Sequence, residues 1–155
     1  DVYKRQHFHP DHIANVQHIK WESLYQGKNT YKYTHIGEIV ESDINVDETD
    51  IKLRIFQMPS SHAKGSLALL VNNKYCLLGD ALYPAHKGDK TVYNARILKQ
   101  QIDILKKMAA PYVLLSHREP FVQKKQAVIS WLEKIYAMRE KNEPWILMTG
   151  QNVPN

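Results

Sequence analysis

Six residues near the start of the chain, His7-Phe8-His9-Pro10-Asp11-His12, carry four side chains that ligate metal ions. Packing gives no reason to crowd imidazoles this way, so the fold has to bring the segment to a point where their donor atoms converge. Imidazole suits zinc and iron, a carboxylate adds a harder donor, and the motif contains no thiolate. On an extended segment side chains two apart point the same way, so His7 and His9 can grip one ion. Pro10, with its fixed φ and missing amide hydrogen, suits a first helical turn, from which Asp11 and His12 are expected to project toward a neighbouring ion. The competing reading is a surface loop rich in histidine.

Three isolated residues extend the set. His62 lies in Ser60-Ser61-His62-Ala63-Lys64-Gly65-Ser66, just after the alternating run 51–58, which reads as a strand ending in a loop. Asp80 follows the apolar run Tyr75-Cys76-Leu77-Leu78-Gly79, and His117 closes Tyr112-Val113-Leu114-Leu115-Ser116 in the same manner. Each could be a cap or turn residue on its own. Beside the first cluster they read as polar side chains delivered by buried strands to one place.

The motif order His-x-His-x-Asp-His, then His, Asp and His, resembles the metallo-β-lactamase superfamily over most of the chain. The resemblance implies that His7, His9 and His62 hold one metal, that Asp11, His12 and His117 hold the other, and that Asp80 bridges them. It implies an α/β fold, a four-layer αββα sandwich with mixed β-sheets, whose first strands are missing here. The third motif reads His-Ala-Lys-Gly-Ser where the family often has His-Thr-Pro-Gly-Ser, and His117 sits in Ser-His-Arg rather than beside a glycine. An aspartate at position 80 resembles glyoxalase II and lactonases, whereas the best-known zinc β-lactamases place cysteine there. The oxygen-reducing diiron relatives carry glutamate at the position of His9, which disfavours that branch.

A chain of 155 residues, 43% hydrophobic and 24% charged, suffices for one domain with a core, expected over 7–155. Residues 1–6, Asp-Val-Tyr-Lys-Arg-Gln, read like translated adapter sequence and are expected to be a non-native leader outside the fold; the alternative is a genuine basic strand leading into the site. Absent upstream strands would leave an unpaired sheet edge and exposed apolar surface, so the chain is expected to be poorly stable. Cys76, the single cysteine, excludes an internal disulfide and reads as a small buried hydrophobe, pointing to a reducing, cytoplasmic setting. The net charge of +5 permits nucleic-acid contact but does not favour it, because the lysines are scattered. No apolar run is long enough to span a bilayer.

Periodicity predicts a helix from Pro10 to about Gly27 with Ile13, Val16, Trp21 and Leu24 on one face, then strands over 31–40 and 51–58 with a polar turn between. Strands 67–71 and 75–79 are expected to form a hairpin through Asn72-Asn73-Lys74. Helices are expected over 91–109, with a stripe of Ala95, Leu98, Ile102 and Leu105, and over 121–141, with Val128, Trp131, Leu132 and Ile135 inward. A strand is expected to close the chain at 145–149.

The implied chemistry is hydrolysis of a thioester, ester or lactone by hydroxide held between two divalent ions, by default zinc, with iron or manganese tolerated. Asp11 would ligate and orient the water. Lys64, Tyr83 and His86 are the candidate contacts to a small-molecule substrate. The alternatives are a phosphodiesterase or nuclease of the same superfamily, and a non-catalytic metal-binding relative.

Overall fold

The structure, a computed structural model, describes residues 2–4, 7, 9–14, 16–18 and 20–149. Its first part is a small parallel sheet. Strand β1 (Val2–Lys4) is followed by helix α1 (Pro10–Ile13), a 3₁₀ turn at Val16–His18, strand β2 (Ser23–Gln26), helix α2 (Lys28–Thr34) and strand β3 (Glu38–Ile39). β1 pairs in parallel with β2, Val2 opposite Ser23, and β2 with β3, Tyr25 opposite Glu38. The stretch set aside as a leader therefore contributes a strand, made by backbone groups that composition does not reveal.

Two sequence expectations fail in this part. The helix foreseen over 10–27 reduces to the one turn of α1 and the 3₁₀ turn at Val16–His18, and β2 occupies its end. Its supposed apolar face has steps of three, five and three residues, and the five-residue step breaks a 3.6-residue stripe. Leu24 and Gln26, two apart, are the buried pair instead. The strand foreseen over 31–40 is helix α2 and the two residues of β3. Parallel neighbours such as β2 and β3 need a crossover, and that demand overrides the strand preference of Thr30, Tyr31 and Tyr33. His35 ends α2 in the left-handed conformation, φ 53°.

The second part is a six-stranded sheet. Its strands are β4 (Ile44–Asp47), β5 (Lys52–Gln57), β6 (Leu67–Val71) and β7 (Tyr75–Gly79), joined later by two more. β4 falls in the segment read as a polar turn; only Ile44 and Val46 mark it, and both are half-buried. Asn72 and Asn73 take φ of 50° and 51°, the left-handed pair that a tight β6–β7 turn requires. Asn72 Oδ1 also accepts the Lys52 amide at 2.7 Å, tying the turn to β5.

After β7 come β8 (Ala85–Lys87), β9 (Lys90–Asn94), helix α3 (Ala95–Lys107), β10 (Tyr112–Leu115), β11 (Val122–Lys124), helix α4 (Lys125–Ala137) and β12 (Trp145–Met148). The six-stranded order is β11-β10-β7-β6-β5-β4, and a third sheet runs β12-β9-β8. Both long helices start later than periodicity suggests. Residues 91–94 belong to β9, and Asn94 caps α3 by accepting the Ile97 amide at 3.0 Å. Residues 122–124 belong to β11.

The six-stranded sheet is apolar on both faces. Phe56, Ala68, Leu70, Cys76, Leu78 and Val113 meet the buried stripes of α3 and α4, Leu98, Ile102 and Leu105 with Val128, Ile129 and Leu132. Trp131, expected inward, is only partly buried against this core. On the other face Ile55 and Leu67 pack with Val40, against Tyr25 of β2. A mixed six-stranded sheet facing a small parallel one, with helices packed on its other face, gives the expected α/β sandwich class. No helix among the described residues is long and apolar enough to cross a membrane.

Candidate metal centre

Strand direction explains how distant residues meet. β5 and β7 are each antiparallel to β6, and β10 is parallel to β7, so β5, β7 and β10 point the same way. His62, Asp80 and His117 follow these three strands and collect at one end of the sheet. The segment carrying His7 and His9 runs from β1 to the same end. His9 is extended, φ −65° and ψ 147°, and Pro10 opens α1, as the sequence predicts.

His7, His9, His62 and Asp80 each offer a ligand atom, all within 4.8 Å of one another. The individual spacings are short. His62 Nε2 is 3.1 Å from His9 Nδ1 and 3.6 Å from Asp80 Oδ2, and His7 Nε2 is 3.7 Å from the same oxygen. Donors held about 2.1 Å from one ion in a tetrahedron stand about 3.4 Å apart, and these three spacings lie close to that value. His117 Nε2 lies 3.7 Å from Asp80 Oδ2 as well. That one oxygen is thus shared by His7, His62 and His117.

Burial is graded across the centre. His7 is 1% exposed and Asp80 4%, whereas the His117 side chain is 64% exposed, so the closed side is at His7 and the open side at His117. Burial also holds the His62 pKa below its ordinary value, outweighing the raising effects of Pro84 and Asp80. The ring is accordingly neutral at pH 7. Its Nδ1 lies 3.2 Å from the Pro84 carbonyl and donates to it in the tautomer that leaves the Nε2 lone pair facing the cluster.

Asp11 and His12 lie in α1, but their side chains are outside the described residues. The three expected substrate contacts divide. Tyr83 donates its hydroxyl to the Ser116 carbonyl, beside His117, and its pKa is raised by burial and then by the charge of Asp80. His86 is exposed on β8, with Nδ1 3.2 Å from Thr91 Oγ1. Lys64 is exposed on the His62 loop.

Sequence reasoning overlooked the supports of that loop. Ser60 Oγ accepts the amides of His62 at 3.1 Å and Ala63 at 3.2 Å, while Ser66 Oγ donates to the Ala63 carbonyl at 2.8 Å. Gly27, read as a helix end, lies against the backbone of Gly65: a Cβ there would stand 1.9 Å from the Gly65 oxygen. Serines flanking His62 were a visible signal. The Gly27 contact had none.

No protein-family model matches the sequence, and no curated protein matches it. Solved structures do match in fold. The metallo-β-lactamase from Pontibacter korlensis superposes with a TM-score of 0.60 at 12% identity, over 86% of this chain and 69% of that one. The fold is the metallo-β-lactamase fold. Two further structures share it. Rubredoxin oxygen:oxidoreductase from the anaerobe Desulfovibrio gigas gives a TM-score of 0.71 at 10% identity, covering 92% of this chain but 45% of its own. The peroxy diiron species of the chemotaxis sensor ODP gives 0.66 at 12% identity, over 85% and 69%. This metallo-β-lactamase fold thus spans less than half the length of the oxidoreductase.

Proposed function

We propose that this chain is the metal-bearing domain of a hydrolase that cleaves a thioester, ester or lactone at a dinuclear centre. The observation that carries the reading is the convergence of His7 and His9, His62 and Asp80 from three segments of the chain, with ligand atoms all within 4.8 Å of one another. His7, His9 and His62 would hold one ion; Asp11, His12 and His117 the other; Asp80 both. When bound, two divalent ions, zinc by default, lower the pKa of a shared water toward about 7 and polarise a carbonyl or phosphoryl oxygen.

The protein's own part is to fix and to exclude. Neutral His62 presents Nε2 inward because Pro84 engages its other nitrogen. Buried His7 and Asp80 close the floor of the site, which keeps bulk water off that side. Substrate would enter over His117, the exposed ligand. Asp11 would orient the attacking water. Exposed Lys64 and His86 would meet an anionic or polar portion of the substrate, and Tyr83, pinned to Ser116, would shape the pocket wall.

Metal analysis of the purified protein, with a panel of thioesters, esters, lactones and bis-p-nitrophenyl phosphate, tests this. Turnover of the acyl substrates that chelation abolishes and zinc restores is expected. Cleavage of the phosphodiester alone would move the assignment to a phosphodiesterase, and tight metal binding with no turnover would make it a metal-binding relative. A second reading is a diiron redox protein, favoured by the diiron structures of like fold. Three imidazoles with one carboxylate in the described cluster weigh toward hydrolysis, and oxygen consumption by the iron-loaded protein would reverse that.

A further inference from the structure

The core stripe of α3 contains one polar intruder. Gln101 sits among Leu98, Ile102 and Leu105 and is 0% exposed. Burying a primary amide in such a place is costly unless its hydrogens are used. They are: Nε2 donates to the Pro59 carbonyl at 2.7 Å and to the Ala81 carbonyl at 2.6 Å. Both acceptors are carbonyls, so the amide orientation follows from chemistry, since only the NH₂ end can serve two acceptors.

The two acceptors decide the meaning of the contact. Pro59 opens the loop that carries His62, and Ala81 directly follows Asp80. The loop and the turn belong to β5 and β7, which are separated in the sheet by β6. Strand pairing alone therefore does not set the gap between them at the sheet end. One side chain from a helix spans it. Asp80 is further held by its turn, in which the Ala81 amide donates to the Leu78 carbonyl at 3.1 Å and the Tyr83 amide to the Asp80 carbonyl at 3.0 Å.

We propose that Gln101 is the positioning residue that fixes the separation of His62 and Asp80, and so sets the geometry and affinity of the metal centre without touching a metal. This rests on the reading of that cluster as a metal site. A hydrophobic residue of the same shape would fill the core equally well but would leave two buried carbonyls unserved and the two ligand segments untied.

The test compares the wild-type protein with Gln101→Met, which keeps the volume and removes both donors, and Gln101→Glu, which can restore one donor only when protonated. Cobalt(II) is the probe, read by its visible spectrum and by competition with a chelator. The wild type must bind first; if it does not, the metal-site reading fails and not the positioning role. Given binding, Gln101→Met is expected to weaken cobalt affinity about 10–100-fold and to alter the visible band, while the deficit of Gln101→Glu against the wild type at the same pH is expected to narrow as pH falls. An unchanged spectrum and affinity within twofold, even with a lowered melting temperature, would reduce Gln101 to core packing and overturn the proposal. Should neither variant fold, exchange of the Gln101 side-chain amide in the metal-free wild type gives the answer. Slow exchange supports a clamp set before metal arrives, and fast exchange refutes it.

Discussion

Replacing Gly27 with alanine adds a single methyl group, yet the structure predicts that it will loosen the metal centre. Gly27 itself has φ −74° and ψ 154°, a conformation alanine adopts freely, so backbone strain contributes nothing. The effect is steric. The new Cβ would stand 1.9 Å from the Gly65 carbonyl oxygen and 2.8 Å from its carbon, and reaching an ordinary 3.4 Å means an opening of about 1.5 Å. Both partners are backbone, so no rotamer change relieves the clash. The Gly65 loop is braced by Ser60 and Ser66, and a shift there carries to His62, three residues away. Donor spacings of 3.1–3.7 Å tolerate only a fraction of such a displacement. Overpacking of this kind costs about 1–3 kcal/mol, which for this length lowers the melting temperature by about 2–4 °C per kcal/mol. Metal affinity should fall about 10–100-fold, as when a group supporting a ligand is lost. Chelator competition beside a thermal melt reads both. Gly88→Ala is the control: nothing lies within 4 Å, and its φ of +60° costs about 1–2 kcal/mol of strain without moving a ligand. Retention of wild-type affinity by Gly27→Ala would refute the link between this contact and the site.

Asp80→Asn, which preserves shape but removes the charge shared with three histidines, should leave the purified protein with less than one equivalent of metal by elemental analysis; two retained equivalents would remove Asp80 as the bridge. His117→Ala should lower occupancy from two ions to one with an unaltered melting temperature for the metal-free protein, because that side chain is mostly exposed. Metal-free stability should depend on pH through His62. Its folded pKa lies below the ordinary value of about 6.5, so the unfolded chain takes up the proton first. Stability from this group is then full above about 6.5 and declines as pH falls toward the lowered folded value; denaturant melts from pH 7.5 to 5 that show no decline, or one that persists undiminished in His62→Gln, would contradict this.

Legibility differed between site and scaffold for physical reasons. Metal ligation demands particular atoms, so His7, His9, His62 and Asp80 stand out in the sequence, and the structure brings them within 4.8 Å. The long amphipathic helices α3 and α4 were readable too, because burial on one face imposes a period, and β6 and β7 were readable as unbroken apolar runs bounded by turn residues. Short elements without such a run were not. β2, α2 and β4 have seven residues or fewer, and the parallel sheet around α2 outweighed the strand preference of its tyrosines and threonines.

Sequence by itself determined the chemistry available, three imidazoles and a buried carboxylate with no thiol among them, and the apolar strands that would carry two of those groups to their ends. Only the tertiary structure decided that β5, β7 and β10 run in one direction, that Gly27 abuts Gly65, and that Gln101 holds two loops at once. Donor chemistry is a property of single residues and survives in a linear string. Distances between segments far apart in the chain arise from sheet order and close backbone approach, and no local pattern encodes them.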